Sequence, residues 1–142
     1  MIIDHIGIVV KSIKKGIQHW QDVFGYKQMT EIVTNTRQKT KVVFLCKDDS
    51  LQVKLIEPTD ETSPIFKIAK KGGGLHHLCF KCDNIDKELD NLTKKRLRVL
   101  AASQPGEAFE NENIAFLFAK NGLNIELIDT DKRARLIQKK FK

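Results

Sequence analysis

The chain has 142 residues, a formal net charge of +7 and hydrophobic residues at 41% of its positions. This length suits one compact domain or two fused half-domains, and it buries enough surface to fold without disulfides. The three cysteines show no disulfide spacing, no apolar run is long enough to span a bilayer, and Asp4-His5 interrupts any leader-like start. We therefore expect a cytoplasmic protein that does not associate with membranes.

The positive charge favours an anionic partner. Nucleic acid is not expected, because the basic residues are spread along the chain and only one Trp and one Tyr are present. Proteins that bind single strands need aromatic stacking surfaces. A phosphorylated ligand, an acidic protein and an ordinary lysine-rich surface remain open as explanations of the charge.

The first half of the chain predicts a strand, a helix and three further strands. Residues 2–10 form an apolar run typical of a buried strand. Ser12 is a typical N-cap for a helix that ends at Gly25. The three following strands are predicted at 26–33, 41–46 and 51–57.

A linker at 59–74 follows, with a short helix predicted at 63–71, Pro64 at its first position, and a glycine hinge at 72–74. The first pattern then restarts. A strand is predicted at 75–81, and Asn84 is a typical cap for the next helix. Further strands are predicted at 97–100, 114–118 and 123–129. The polar loop 103–113 is a candidate lid, and the basic tail 131–142 predicts a marginal helix.

The two halves are related by a constant offset of 72 positions. Matching positions include His5 with His77, Ile13 with Ile85, Phe44 with Phe116, and Lys54 with Glu126. A repeat of this kind predicts two copies of one folding unit. We therefore expect a single domain made of module one, 1–58, and module two, 75–130. Joined edge to edge, they should form an α+β fold with a curved sheet of about eight strands and helices outside.

Four polar residues interrupt otherwise apolar strands: His5, Lys54, His77 and Glu126. Burying such groups is costly unless they are paired or bind a metal. A pseudo-twofold axis would bring the two repeat-related pairs into one hollow. Two imidazoles and a carboxylate suit zinc, iron, cobalt, nickel or manganese, so His5, His77 and Glu126 are candidate metal ligands.

Several segments resemble the vicinal oxygen chelate superfamily, which includes glyoxalases, bleomycin resistance proteins and dioxygenases. They are DHIGIVV at 4–10, VKLIEP at 53–58, SPIFK at 63–67, GGGLHHLCF at 72–80 and LNIEL at 123–127. The chain resembles methylmalonyl-CoA epimerases most, followed by glyoxalase I. The resemblance implies two βαβββ modules that form a cupped mixed sheet around a divalent metal, and a homodimer.

Two positions depart from the pattern of these relatives. The family takes its metal ligands from a His, a Gln or Glu, a His and a Glu, and the second ligand corresponds here to Lys54. A protonated ammonium has no lone pair to offer a metal. Family epimerases also use a carboxylate on the third strand of the first half, and the strand at 41–46 contains none.

Three arrangements follow from Lys54. His5, His77 and Glu126 can form a three-ligand metal site with open positions, as in non-haem iron enzymes. Alternatively, Lys54 can pair with Glu126 in a metal-free pocket. In the third arrangement a neutral Lys54 is the fourth ligand.

The resemblance implies an epimerase, isomerase or lyase type of enzyme that removes a proton next to a carbonyl. The expected substrate is a small acyl thioester, such as methylmalonyl-CoA, presented by coenzyme A or by a carrier protein. Glu126 and Lys54 are the candidate catalytic residues for the proton transfer. Two alternatives are a non-catalytic protein that binds a small molecule and an iron-dependent extradiol dioxygenase.

Smaller features receive structural interpretations. Because side chains alternate along a strand, we expect His76 to face away from His77. Cys79 and Cys82 have C-x-x-C spacing but lie at a strand end, which favours a structural role. Lys67, Lys70 and Lys71 either hold the phosphates of a coenzyme A-type carrier or form a solvated helix face.

Overall fold

The computed structural model describes residues 1–137. Its first half contains β1 (Ile2–Val9), α1 (Ile13–Phe24), β2 (Lys27–Gln28), β3 (Val33–Asn35), β4 (Thr40–Cys46) and β5 (Gln52–Pro58). The short helix α2 (Phe66–Lys70) connects the halves. The second half contains β6 (Gly74–Lys81), α3 (Ile85–Lys94), β7 (Arg98–Gly106), β8 (Glu112–Ala119) and β9 (Leu123–Ile128). Within residues 1–137, no helix is long and apolar enough to cross a membrane.

The described strands form one curved, nine-stranded sheet in the order β2-β4-β5-β1-β6-β9-β8-β7, with β3 paired to β4. β1 and β6 run antiparallel at its centre. Each has a parallel neighbour from its own half, β5 for β1 and β9 for β6. The α+β fold with edge-to-edge halves is therefore confirmed, with nine strands where about eight were expected. The module boundaries at 58 and 75 stay a prediction.

The two long helices begin as the sequence indicates. The Ser12 hydroxyl accepts a hydrogen bond from the Lys15 N–H, and the Asn84 side-chain oxygen accepts one from the Lys87 N–H. α1 ends at Gly25, whose φ of 72° lies in the left-handed region that glycine adopts without strain. These caps fix where the two helices begin and where α1 ends.

Strand alternation divides the apolar side chains between the two faces of the sheet. The core under α1 contains Ile13, Val43, Leu45, Val53 and Leu55, and the core under α3 contains their repeat partners Ile85, Ala115, Leu117, Ile125 and Leu127. The opposite face carries a third core that includes Val42, Phe44, Ile56, Phe109, Ile114 and Ile128. The side chains at the centre of that third face form the candidate site.

The predicted strand at 26–33 is wrong as a single element, because it is divided into β2 and β3. Met29 and Thr30 lie between them, and the Phe44 N–H donates to the Thr30 hydroxyl at 3.0 Å. A side chain thus takes the place of a backbone acceptor in the ladder, which interrupts the pairing. The predicted helix at 63–71 is also shorter, since α2 begins only at Phe66.

The predicted polar loop at 103–113 is wrong. β7 continues to Gly106, a 3-10 turn covers Glu107–Phe109, and β8 begins at Glu112. Phe109 is fully buried in the third core and anchors the segment. One buried apolar side chain outweighs the polar composition that predicted a loop and a candidate lid.

The predicted marginal helix in the tail is wrong for residues 131–137, and the rest of that tail, 138–142, lies outside the described residues. Instead of forming a helix, the segment lies against both halves of the protein in an irregular conformation. The Ala134 N–H donates to the Ala108 carbonyl, and Leu136 forms an isolated bridge with Thr30. Contacts with the body of the protein therefore replace the hydrogen bonds of a helix.

Candidate active site

The four polar residues singled out in the sequence lie together at the centre of the sheet. His5 is on β1, Lys54 on β5, His77 on β6 and Glu126 on β9, and at most 2% of each residue is exposed. Gly7 pairs with both Lys54 and His77 across neighbouring strands. We refer to His5, Lys54, His77 and Glu126 as the buried tetrad. Their roles as metal ligands or catalytic residues stay predictions.

The carboxylate of Glu126 is the centre of the buried tetrad. Its Oε1 lies 3.0 Å from His5 Nε2 and 3.1 Å from His77 Nε2. Lys54 Nζ donates to both carboxylate oxygens at 3.2 Å. Despite the short distance, the angle at His77 does not make a hydrogen bond, so its Nε2 has no partner among the described residues. One carboxylate thus faces three nitrogen groups.

Burial and charge set the protonation of the tetrad. Burial alone would raise the pKa of Glu126, but the Lys54 charge and the two histidines outweigh it and hold the pKa well below its ordinary range. Burial lowers the pKa of His77 to about 4, although Glu126 opposes the shift. Glu126 is therefore ionised and His77 neutral at pH 7.

Gly7 leaves the space that the His77 ring occupies. A Cβ at Gly7 would lie 2.1 Å from His77 Cε1 and 2.4 Å from His77 Nε2, closer than atoms can approach without displacement. The DHIG segment near the start of the chain thus supplies both an imidazole and the gap for the second imidazole.

The prediction that His76 faces away from His77 is wrong. Between β1 and β6, Gly7 pairs with His77 but Ile8 pairs with Leu75, so His76 sits in a β-bulge. A bulge re-aims the side chain of its extra residue. As a result His76 lines the same cavity as His77, and the two Nδ1 atoms lie 2.8 Å apart.

The same irregularity recurs at Asp4, which is the repeat partner of His76. Ile3 pairs with Phe80 and His5 pairs with Cys79, which leaves Asp4 unpaired between them. Asp4 Oδ2 lies 2.7 Å from His5 Nδ1. In each half, therefore, a bulged residue holds the Nδ1 of the histidine that follows it.

Arg133 is a site residue that the sequence analysis missed. It comes from the tail, is 4% exposed, and donates to Asp4 Oδ2 at 2.5 Å and to Gln52 Oε1. Its guanidinium also lies over the Phe44 ring, 4.4 Å from the ring centroid. Only its place in a basic tail is visible in the sequence, and that pattern is typical of solvated residues.

A cavity of about 230 Å³ opens above the buried tetrad. The exposed surface of its wall is mostly apolar. Strands β3 to β9 contribute side chains to the wall, as does the segment just before α2. The lining residues are Asn35, Gln38, Thr40, Val42, Lys54, Ile56, Pro64, Ile65, His76, His77, Leu100, Ala101, Gln104, Phe116 and Asn124. Lys54, His76 and His77 are the titratable groups in this wall, while Glu126 lies behind it.

The Cys79–Cys82 pair does not have the features of a dithiol site. Cys79 is fully buried, and burial raises the pKa of its thiol well above the ordinary value. The Cys82 thiol donates to the Ile128 carbonyl, and burial raises its pKa as well. Both side chains fit the structural role expected from their strand-end position.

Comparison with known proteins decides the family. The model of the Glyoxalase/Bleomycin resistance protein/Dioxygenase superfamily matches residues 4–116. The chain belongs to this superfamily.

The chain is similar to an uncharacterized protein and to methylmalonyl-CoA epimerases. The uncharacterized protein YqjC of Bacillus subtilis is 32% identical over 130 residues, which cover 89% of this chain and 91% of that protein. Mitochondrial methylmalonyl-CoA epimerase of Mus musculus is 32% identical over 101 residues, 70% of this chain, and the match spans only 56% of the mouse protein. A solved methylmalonyl-CoA epimerase in complex with methylmalonyl-CoA and NH4+ is 28% identical, with a TM-score of 0.79, and covers 91% of this chain and 94% of that one.

The superfamily's divalent metal can be tested against the tetrad. One nitrogen each of His5 and His77 and one oxygen of Glu126 lie within 4.8 Å of one another, and the unpartnered Nε2 of His77 is an available donor. Lys54 Nζ, however, holds both oxygens of Glu126. Its ammonium would repel a divalent ion about 4 Å away by about 8 kcal/mol at an effective dielectric of 20. The donor set present does not fit the four-ligand metal site of the superfamily.

Proposed function

We propose that this chain is an isomerase-type enzyme that removes and returns a proton next to the carbonyl of an acyl thioester, of the methylmalonyl-CoA type. The observation that carries the proposal is the Lys54 ammonium, which lies in the floor of an apolar cavity and is held by a buried carboxylate. The relatives support it, since several of them are methylmalonyl-CoA epimerases and one is solved with methylmalonyl-CoA.

Lys54 stabilises the negative charge that develops on the thioester oxygen when the neighbouring carbon loses its proton. A cation in a water-poor cavity acts more strongly on such a charge than it would in water, and it needs no reorganisation during the reaction. Glu126 orients this ammonium from behind the wall. Its three nitrogen neighbours make it a weak base, so we assign it a positioning role in place of the proton transfer expected from the sequence.

His76 is the group we assign to accept the proton. No carboxylate of the described residues lines the cavity, and β4, where family epimerases carry one, contributes Thr40 and Val42. Burial, with the nearby Lys54 charge, lowers the pKa of His76, so its imidazole is neutral at pH 7. A neutral imidazole on a cavity wall can take a proton from bound substrate.

The hydrogen-bond chain determines which nitrogen of His76 is free. His77 Nε2 lies 3.1 Å from the Glu126 carboxylate, and this nearby negative charge favours the tautomer that carries its proton on Nε2 and leaves Nδ1 as an acceptor. His76 Nδ1–H then donates to His77 Nδ1 across 2.8 Å. This tautomer, inferred from the network, leaves the lone pair of His76 on Nε2. His77 thus orients His76 and leaves its Nε2 lone pair free.

The thioester carrier would lie toward α2. Pro64 and Ile65 form that side of the cavity. Three lysines follow them in and directly after α2: Lys67, Lys70 and Lys71. Their charges suit the phosphates of coenzyme A or of a carrier-protein arm. Cytoplasmic location and a homodimeric state stay predictions.

Exchange of the substrate's proton with solvent tests the function. Methylmalonyl-CoA of one configuration is incubated with the protein in deuterium oxide, and deuterium at the carbon next to the thioester is measured by mass spectrometry. We expect rapid uptake with the wild type and a roughly 100-fold or greater loss in Lys54→Met and His76→Gln. The control is Lys94→Gln, because Lys94 is an exposed residue of α3. Binding without exchange would contradict the proposal and favour the non-catalytic alternative.

A further inference from the structure

We propose that Lys54 takes the place of the divalent ion in this chain, so that the site acts on anionic oxygens without a metal. The inference deepens the proposed function and rests on it for the reaction. Metal binding itself can be measured without turnover.

The position of Lys54 is the first argument. Lys54 and Glu126 occupy equivalent positions in the two halves, 72 residues apart, on strands that lie on opposite sides of the central pair β1 and β6. The pseudo-twofold axis therefore brings their side chains face to face. In the family pattern both of these positions carry metal ligands, a Gln or Glu and a Glu. This chain has an ammonium and a carboxylate there, and the two groups form an ion pair with each other.

The surroundings of Lys54 hold its ammonium in place. Besides the two contacts with Glu126 at 3.2 Å, Nζ lies 5.2 Å from the centroid of the Phe109 ring and 5.9 Å from that of Phe44. Aromatic faces attract cations, particularly where water is excluded. The ammonium is therefore fixed by the carboxylate on one side and by two rings.

The charge balance of the cluster is the second argument. Lys54 and Arg133 supply two positive charges, and Glu126 and Asp4 supply two negative charges. These four charges sum to zero. A divalent ion would leave at least two uncompensated positive charges in a buried site, which is strongly unfavourable. Both carboxylates of the cluster are already paired with cations without the ion.

This arrangement also defines the ligand class. Among the described residues the cavity offers one lysine, Lys54, in a wall whose exposed surface is mostly apolar. Such a site selects a flat molecule with an oxygen that is negative or becomes so, such as a thioester that forms an enolate. A solved methylmalonyl-CoA epimerase is in complex with methylmalonyl-CoA and NH4+, an ion of the same charge as a protonated lysine side chain.

Metal analysis of Lys54 variants tests the inference. Wild type, Lys54→Gln and the surface control Lys94→Gln are purified without chelator, analysed for metal content, and titrated with Zn²⁺, Co²⁺, Ni²⁺ and Mn²⁺ while the melting temperature is followed. We expect little metal and no specific stabilisation in wild type and Lys94→Gln. Lys54→Gln supplies the superfamily's usual ligand type and should bind metal about tenfold or more tightly than wild type.

Three outcomes would overturn the inference. The first is one firmly bound ion per wild-type chain. The second is metal binding by wild type that is lost in Lys54→Gln, which would make Lys54 a ligand. The third is equal, negligible uptake by both, because Lys54 would then not be what keeps a metal out. If Lys54→Gln does not fold, Lys54→Glu, purified with metal in the medium, repeats the test with a carboxylate at the same position. None of these readouts depends on epimerisation, so a failure of the proposed function would be seen separately.

Discussion

Removing the Lys54 ammonium should destabilise the fold as well as the chemistry. In Lys54→Met, a side chain of similar length loses its charge and leaves Glu126, which is fully buried, without its main compensating cation. Breaking a buried ion pair from one side costs about 3–5 kcal/mol in the free energy of unfolding. For a chain of this size, that loss lowers the melting temperature by about 10 °C or more.

The pair can be separated from its surroundings by a double-mutant cycle. Lys54→Met, Glu126→Gln and the double variant are unfolded in urea at pH 7, with circular dichroism as the signal. The double variant should be more stable than the sum of the two single losses implies, by about 1–3 kcal/mol, because neither change then leaves an unpaired charge. Met is close in size to Lys, and Gln is close in size to Glu, so changes in packing should be small.

Lys94→Met is the matched control. Lys94 pairs with Asp90 on the exposed surface of α3, where solvent screens the pair, so this substitution should leave the stability close to that of wild type. If Lys54→Met unfolded within about 1 kcal/mol of wild type, the ammonium would not compensate Glu126, and the reasoning about the tetrad would fail.

Three further predictions concern the neighbours of the pair. Gly7→Ala places a Cβ 2.1 Å from His77 Cε1, so it should cost about 1–3 kcal/mol in urea unfolding and abolish deuterium exchange, whereas an unchanged rate would contradict the assigned role of Gly7. The His77 pKa of about 4 lies below its unfolded value of 6.5, so the unfolded chain binds the extra proton. Stability should therefore be full above pH 6.5 and fall by about 3 kcal/mol toward pH 4, a slope that His77→Gln should reduce in thermal melts at several pH values. Arg133→Met leaves Asp4 without its cation and should lower the free energy of unfolding by about 3 kcal/mol. Recovery of stability in Arg133→Lys would show that the charge is the cause. An equal loss in both variants would instead point to the stacking of the guanidinium on Phe44.

The sequence contains the fold in its repeat and in its strand periodicity. The offset of 72 aligns Val53 with Ile125 under the helices and Lys54 with Glu126 on the opposite face, and the structure places both pairs as the alternation requires. Ser12 and Asn84 cap their helices because a side-chain oxygen just before an amphipathic run can accept a hydrogen bond from a free N–H of the first turn. Local chemistry and long-range repetition agree in these elements.

The β-bulges at Asp4 and His76 could not be predicted in the same way. A bulge adds one residue to one strand and reverses the face of that residue, yet it depends on the hydrogen bonds of the partner strand and has no fixed residue pattern. Strict alternation therefore assigned His76 to the wrong face. Arg133 escaped prediction for a related reason, because only the folded tail brings its guanidinium to Asp4.

The repeated bulge explains how a symmetric backbone acquires asymmetric chemistry. Each half places a bulged residue against Nδ1 of a histidine, but Asp4 is an anion held by Arg133, whereas its counterpart His76 is a neutral ring on the cavity wall. The difference between Lys54 and Glu126 is of the same kind. The repeat thus sets where the groups lie, and the differences at two pairs of positions give one half the cation and the other half the proposed proton acceptor. Exchanging Asp4 and His76 for one another should therefore preserve the sheet, measured by circular dichroism, while abolishing exchange of the substrate's proton.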